Sequence, residues 1–258
     1  MALTRGVLAA VLALAWSLAA TPSALAQDRP EEQRLALVIG NGAYPAYPLP
    51  NPPNDARDVS TRLRALGFTV IEGIDLDKKA MEDVILEFGE RIRGGGIGLF
   101  YFAGHAMQLR GQNYLMPIDA MPNSEAAARL QSFDLSLLLD LMGDAMNRAN
   151  VVILDSCRNN PFAGQVRGAS SGLAAIDAAR GTLIAYSTAP GNVAVDGDGA
   201  NSPYTANLVR SIQEPGLAVE DIFKRVRAAV IDQTQGAQTP WESSSLTGDL
   251  VLNINITV

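Results

Sequence analysis

Cysteine and histidine are almost absent: the 258 residues hold one of each, Cys157 and His105. A single thiol cannot close an intramolecular disulfide, and so small a set excludes cysteine-based and multi-histidine zinc sites. Basic charge is also short, with Lys+Arg 20 against Asp+Glu 27 and a formal net charge of -7. That balance has no electrostatic footprint for phosphate backbones, which argues against nucleic acid, and it suits a cationic substrate better. Beyond the N-terminus no segment approaches the ~18 consecutive apolar residues of a membrane span.

The N-terminus reads as a separate piece. Arg5 precedes the short apolar run VLAAVLALAWSLAA, and Ala24-Leu25-Ala26 offers a small-x-small cleavage site before Gln27. This is the pattern of a removed secretory signal over residues 1–26 rather than of a membrane anchor. The expected product is exported, periplasmic or secreted, with a short segment 27–33 before its domain; losing Arg5 takes the formal charge from -7 to -8. About 230 residues then remain, enough for one sizeable core. A free thiol in an exported protein needs a reason.

What is present alternates. Leu35 to Ile39 reads as a buried strand entering Gly40-Asn41-Gly42, followed by a proline-rich loop and a helix capped by Asn54, with Asp55 and Asp58 in its first turn. FTVIEG is a second strand, and Met81, Val84, Ile85, Phe88 and Ile92 mark a second helix, closed by Gly94-Gly95-Gly96. IGLFYFAG is fully apolar, as expected of a central parallel strand covered on both faces, and VVILDSC reads as the next buried strand. MQLRGQNYLMP reads as a hairpin turning at Arg110-Gly111. Leu135, Leu138, Leu139 and Met142 form a further helical stripe. GTLIAYST is another strand, two helical patterns follow, and DLVLNI is expected as the last strand. The predicted fold class is α/β, a three-layer αβα sandwich with a mostly parallel sheet.

In such sheets the functional crevice lies beyond the carboxyl ends of the strands. His105 and Cys157 each follow a fully apolar strand, 157 - 105 = 52 residues apart, which leaves room for one hairpin and one helix between neighbouring strands. A thiol needs a base or a cationic neighbour to act as a nucleophile at neutral pH, and a histidine supplies either.

These motifs resemble the caspase-like clan of cysteine peptidases (peptidase C14), the caspase, metacaspase and bacterial orthocaspase group, for which a histidine about 50 residues before the cysteine is a known pattern. Tyr101-Phe102-Ala103-Gly104-His105 looks like the family's strand ending in Ser/Gly-His, and Ile153-Leu154-Asp155-Ser156-Cys157 like the metacaspase Asp-Ser-Cys block. Tyr186-Ser187-Thr188-Ala189-Pro190-Gly191 is similar to the opening of the small subunit, and Asn54-Asp55-Ala56 to the start of the first helix. The resemblance spans about residues 34–252 and implies a caspase-like peptidase domain over 34–254, with a large-subunit-like part at about 34–162 and a small-subunit-like part at about 181–254. It implies Cys157 as nucleophile, His105 as proton carrier, and the backbone N–H groups of Cys157 and Ala106 as oxyanion donors. The family often has glycine where this chain has Ala106.

Specificity is expected to differ from that of Asp-cleaving caspases. Asp155 stands where those enzymes carry a glutamine, and NVAVDGDG holds no arginine. The resemblance makes Asp155, with Asp55 as companion and Ser187 on the wall, an anionic pocket that pairs with arginine or lysine and repels aspartate. Asp55 has a second reading, a first-turn charge complementing the helix dipole. Some metacaspases bind calcium through acidic clusters; here Asp196 and Asp198 read as a solvated turn, so no cofactor or metal is expected. Arg158, Arg167 and Arg180 lie in a Gly/Ala/Ser-rich loop where caspases separate their subunits, and Arg167 and Arg180 are the expected self-cleavage positions. A monomer acting on a peptide or protein is expected.

Three other readings compete with this one. A cysteine phosphatase needs an arginine six residues after the thiol, where this chain has Ala163. A dinucleotide site needs a third glycine, but Gly40-Asn41-Gly42 continues into Ala43-Tyr44-Pro45. A catalytically silent caspase-like scaffold remains the alternative, although such relatives usually lose the histidine or the cysteine.

Overall fold

The computed structural model describes residues 32–93, 95–156, 169–170, 172–195 and 197–254. The expected signal at 1–26, Gly94, Cys157, Arg158, Arg167 and Asp196 lie outside the described residues. The chain order is β1 (Arg34–Gly40), α1 (Pro52–Ala65), β2 (Thr69–Ile74), α2 (Lys78–Arg91), β3 (Ile97–Ala103), β4 (Ala106–Leu109), β5 (Gln112–Leu115) and α3 (Glu125–Gln131). It continues through β6 (Phe133–Asp134), α4 (Leu135–Asp144), β7 (Ala149–Asp155), β8 (Ala169–Ser170), β9 (Thr182–Tyr186), α5 (Pro203–Ser211), α6 (Val219–Gln233) and β10 (Trp241–Ser244).

Six strands form the main sheet in the order β10-β9-β7-β3-β1-β2, all parallel except β10, which pairs antiparallel with β9. Successive strand residues point to opposite faces, and both faces are apolar here. Ala36, Val38, Leu99, Tyr101, Val151 and Ile153 pack with α1, α5 and α6. Leu35, Leu37, Phe100, Phe102, Val152 and Leu154 pack with α2 and α4 on the other side. The helices answer with stripes at helical spacing, such as Met81, Ile85 and Phe88 on α2 and Val219, Ile222, Phe223, Val226 and Val230 on α6. Burying one such side chain is worth about 1.5–3 kcal/mol, so packing rather than propensity holds these helices. The result is the expected three-layer α/β sandwich.

A second, four-stranded sheet in the order β6-β5-β4-β8 lies outside the main one. Its β4–β5 hairpin turns on Arg110 (φ 50) and Gly111 (φ 82), the doubly positive conformation that matches strand twist.

Three expectations need correction. α1 begins at Pro52 after Asn51, not at Asn54, because a proline at the first helical position gives up only an N–H that would be unpaired there anyway. With that start, Asp55 lies in the first turn and Asp58 does not. DLVLNI adds no strand to the sheet: Leu250 and Leu252 enter the α1/α5/α6 core, while Val251 makes an isolated antiparallel bridge to Ala218. The closing strand is the polar WESS of β10, whose Trp241 ring lies 5.6 Å from that of Tyr186.

Candidate active site

The carboxyl ends of β3, β7 and β9 lie side by side in the sheet, as the order β9-β7-β3 requires. His105 follows β3 after Gly104 and is 5% exposed. The β3–β7 ladder pairs Ala103 with Asp155, an offset of 155 - 103 = 52. The same 157 - 105 = 52 separates the histidine from the cysteine.

A folded-back loop after β1 holds His105. Asp75, at φ 53 just beyond β2, accepts the amides of Gly42 and Ala43 at 2.8 and 2.9 Å. Asn41 bridges the main chain of Leu76 and Met116. The loop thereby brings two tyrosines to the imidazole. His105 Nε2 lies 2.8 Å from the carbonyl oxygen of Tyr47. A carbonyl only accepts, so in the neutral ring Nε2 carries the proton. The His105 backbone N–H donates to Tyr44 Oη at 2.9 Å, and the two rings stand 4.5 Å apart.

A second constellation sits on the α1/α5 side. Asp155 and Asp55 are both fully buried. Asp155 Oδ2 accepts the hydroxyls of Ser202 and Thr205, while Asp55 Oδ1 accepts the Ser202 amide at 3.0 Å. Ser202 caps α5 through Thr205 N at 2.9 Å, so one helix start ties the two carboxylates together. Tyr101 Oη lies 2.6 Å from Thr205 Oγ1. Asp155 Oδ1, Ser156 Oγ, Ser187 Oγ and Thr188 Oγ1 are buried with no hydrogen-bond partner among the described residues. Buried polar atoms rarely go unsatisfied, so four at adjoining strand ends make this edge of the sheet unusual among the described residues.

Ser187 is fixed by its main chain, with its N–H on the carbonyl of Leu154 and its own carbonyl on Gln238. Ala106 opens β4 and is buried. Arg180 lies in the turn before β9. The structure thus brings Asp55 to Asp155, while Asp198 joins no group of three or more metal-ligating side chains among the described residues. Sequence reading missed Ser202, Thr205, Tyr44 and Tyr47. Ser202-Pro203 followed by Thr205 carries a helix-start signal, but nothing local says that the serine hydroxyl faces a carboxylate.

A mostly parallel α/β sandwich with a buried histidine at its strand ends fits a caspase-like domain. The peptidase C14 caspase domain family matches residues 33–251, and the chain belongs to that family. It is 35% identical over 136 residues to the human mucosa-associated lymphoid tissue lymphoma translocation protein 1, covering 51% of this chain and 16% of the relative. The mouse homolog is 34% identical over 131 residues, covering 49% and 15%. The chain therefore matches only about a sixth of these relatives' length. Among solved structures, the Drosophila initiator caspase Dronc has the same fold, with a TM-score of 0.59 at 13% identity, over 86% of this chain and 82% of that one.

Proposed function

We propose that this caspase-domain protein is an exported cysteine endopeptidase that cleaves after arginine or lysine. The dyad reading is supported by the β3–β7 register, which pairs Ala103 with Asp155, each two residues before His105 and Cys157 in the sequence. The Cys157 thiol gives its proton to His105 Nδ1, and the sulfur attacks the scissile carbonyl carbon. The carbonyl oxygen takes the negative charge and meets the backbone N–H groups of Cys157 and Ala106. His105 returns the proton to the leaving amine as the C–N bond breaks, and water then hydrolyses the thioester. The Nε2–H bond to Tyr47 supports this assignment because it leaves Nδ1 for the transfer.

The observation that carries the specificity is the meeting of Asp55 and Asp155 at Ser202. Enclosed carboxylates of this kind favour a guanidinium or ammonium and penalise a substrate carboxylate. Fluorogenic peptides with Arg, Lys or Asp at the cleaved position, set against Cys157→Ala, test both parts. Turnover of the Arg and Lys peptides that vanishes in the variant is expected. Thiol-independent or absent turnover sinks the peptidase assignment, and turnover only after Asp sinks the pocket assignment.

A further inference from the structure

Tyr44 stands where three segments meet. Its hydroxyl donates to the carbonyl oxygen of Met116 at 2.9 Å and accepts the His105 backbone N–H at 2.9 Å. Met116 in turn donates its N–H to the His105 carbonyl at 3.0 Å. One phenol thus closes a ring of bonds through the end of β3 and the end of β5. Its own ring packs on the imidazole at 4.5 Å between centroids, tilted by 56°. Gly104 adopts φ +153, and a Cβ there would lie 2.7 Å from Tyr44 Oη. The backbone before the histidine is therefore drawn so close to the phenol that only glycine fits. Tyr44 is itself 5% exposed, held by the loop that Asp75 pins through Gly42 and Ala43.

We propose that Tyr44 is a positioning residue for His105: its hydroxyl sets the height of the histidine main chain, and its ring sets the imidazole plane against the Tyr47 carbonyl. The proposal rests on His105 being the proton carrier. The two contacts divide the work. With the main chain fixed by the hydroxyl, the imidazole can still turn about its side-chain torsions. The tilted ring limits that turning, so Nε2 stays on Tyr47 and Nδ1 stays turned to the reacting groups. A misplaced proton carrier costs rate more than substrate affinity, because the alignment matters chiefly in the transition state.

The chain has one histidine, so its imidazole gives a single set of nuclear magnetic resonance signals, readable without turnover. In the unaltered protein, cross-relaxation between the His105 and Tyr44 ring protons is expected, with nitrogen shifts placing the proton on Nε2. Tyr44→Phe keeps the ring contact and loses both hydroxyl bonds, whereas Tyr44→Leu loses both functions. The expected result is a fall in kcat of about tenfold for Tyr44→Phe and more for Tyr44→Leu, with KM within about twofold. The His105 nitrogens are expected to average between tautomers in Tyr44→Leu. No ring-to-ring cross-relaxation in the unaltered protein overturns the proposal even if neither variant folds. So does an unchanged His105 signal in Tyr44→Leu, or a variant that loses melting temperature alone while kcat holds. If the unaltered protein turns over no peptide, the peptidase assignment falls, and the resonance measurements decide the placement by themselves.

Discussion

At Asp155 the two carboxylate oxygens are used differently. Oδ2 takes both hydroxyls of the α5 start, and Oδ1 has no hydrogen-bond partner among the described residues. A buried acceptor left unmatched costs about 1–3 kcal/mol, a cost that a cationic substrate group would relieve. Asp155→Asn keeps the shape and removes the charge. Its kcat/KM on an Arg peptide is expected to fall about 100-fold or more, the scale of losing one partner of a buried charge pair, with melting temperature changed by only a few degrees. Peptide kinetics alongside a thermal melt check this; a retained kcat/KM would remove Asp155 from substrate recognition. His105 was legible at its strand end because it is the chain's one histidine, and Asp155 because a carboxylate ends an otherwise apolar strand. Tyr44 and Tyr47 were not: their bonds to His105 span 61 and 58 residues, and no local pattern reports a contact at that range.

Elements hold these residues in place, and one tight joint lies between β1 and α1. A Cβ added at Gly40 would lie 2.2 Å from the Pro52 carbonyl oxygen and 2.6 Å from the Ala56 Cβ. Gly40→Ala must push away the helix that carries Asp55, and a destabilisation of about 1–3 kcal/mol is expected. Urea titration measures it, together with a rise in KM for the Arg peptide as the two carboxylates separate. At the other end of the sheet Glu32 meets Arg148 in a two-pronged pair, with Nη2 to Oε2 at 3.0 Å. The Arg148 hydrogen bond holds the Glu32 carboxyl below its ordinary 4.5, against a smaller opposing effect of burial. A carboxyl lowered on folding stabilises fully above its unfolded value and loses that effect as pH falls through the folded one. Since both side chains are about a third exposed or more, Glu32→Gln is expected to cost under about 1 kcal/mol at pH 7. The gap from the unaltered protein should close below pH 4.5 in melts run across pH. Long stripes and apolar strands made most elements legible. α3 was not, because EAAARLQ buries only Ala128 and shows no stripe. β10 was not, because its polar residues form an edge recognised only by its partner β9.

Over the whole molecule, the order β10-β9-β7-β3-β1-β2 sets the consequence of a cut before β9. The chain leaves β7 at Asp155 and returns to its neighbour at Thr182, so any break between them severs two parts that share one sheet. β9 pairs with β7 over five positions, from Asn150↔Thr182 to Leu154↔Tyr186. Tyr204 and Leu208 of α5, with Val219, Ile222, Phe223, Val226 and Val230 of α6, lie in the same core cluster as Val38, Leu99, Tyr101 and Val151. That burial far exceeds what a single hydrophobic anchor supplies, and a cut in a connection removes none of it. Cleavage at Arg180, in the turn just before β9, is therefore expected to give two bands on a denaturing gel. In gel filtration the two pieces should run as one species at the position of the uncut protein. Incubation of active enzyme, with Arg180→Ala and Cys157→Ala as controls, makes the measurement, and a trypsin nick supplies the same break if the enzyme does not cut itself. Pieces that separate would mean that the β7–β9 ladder and the shared core do not hold the halves without the connecting chain. Pieces that stay together would make the cut a local event, one that frees new chain ends at the amino end of β9, at the edge of the sheet opposite His105, without dismantling the ladder that aligns Ala103 with Asp155.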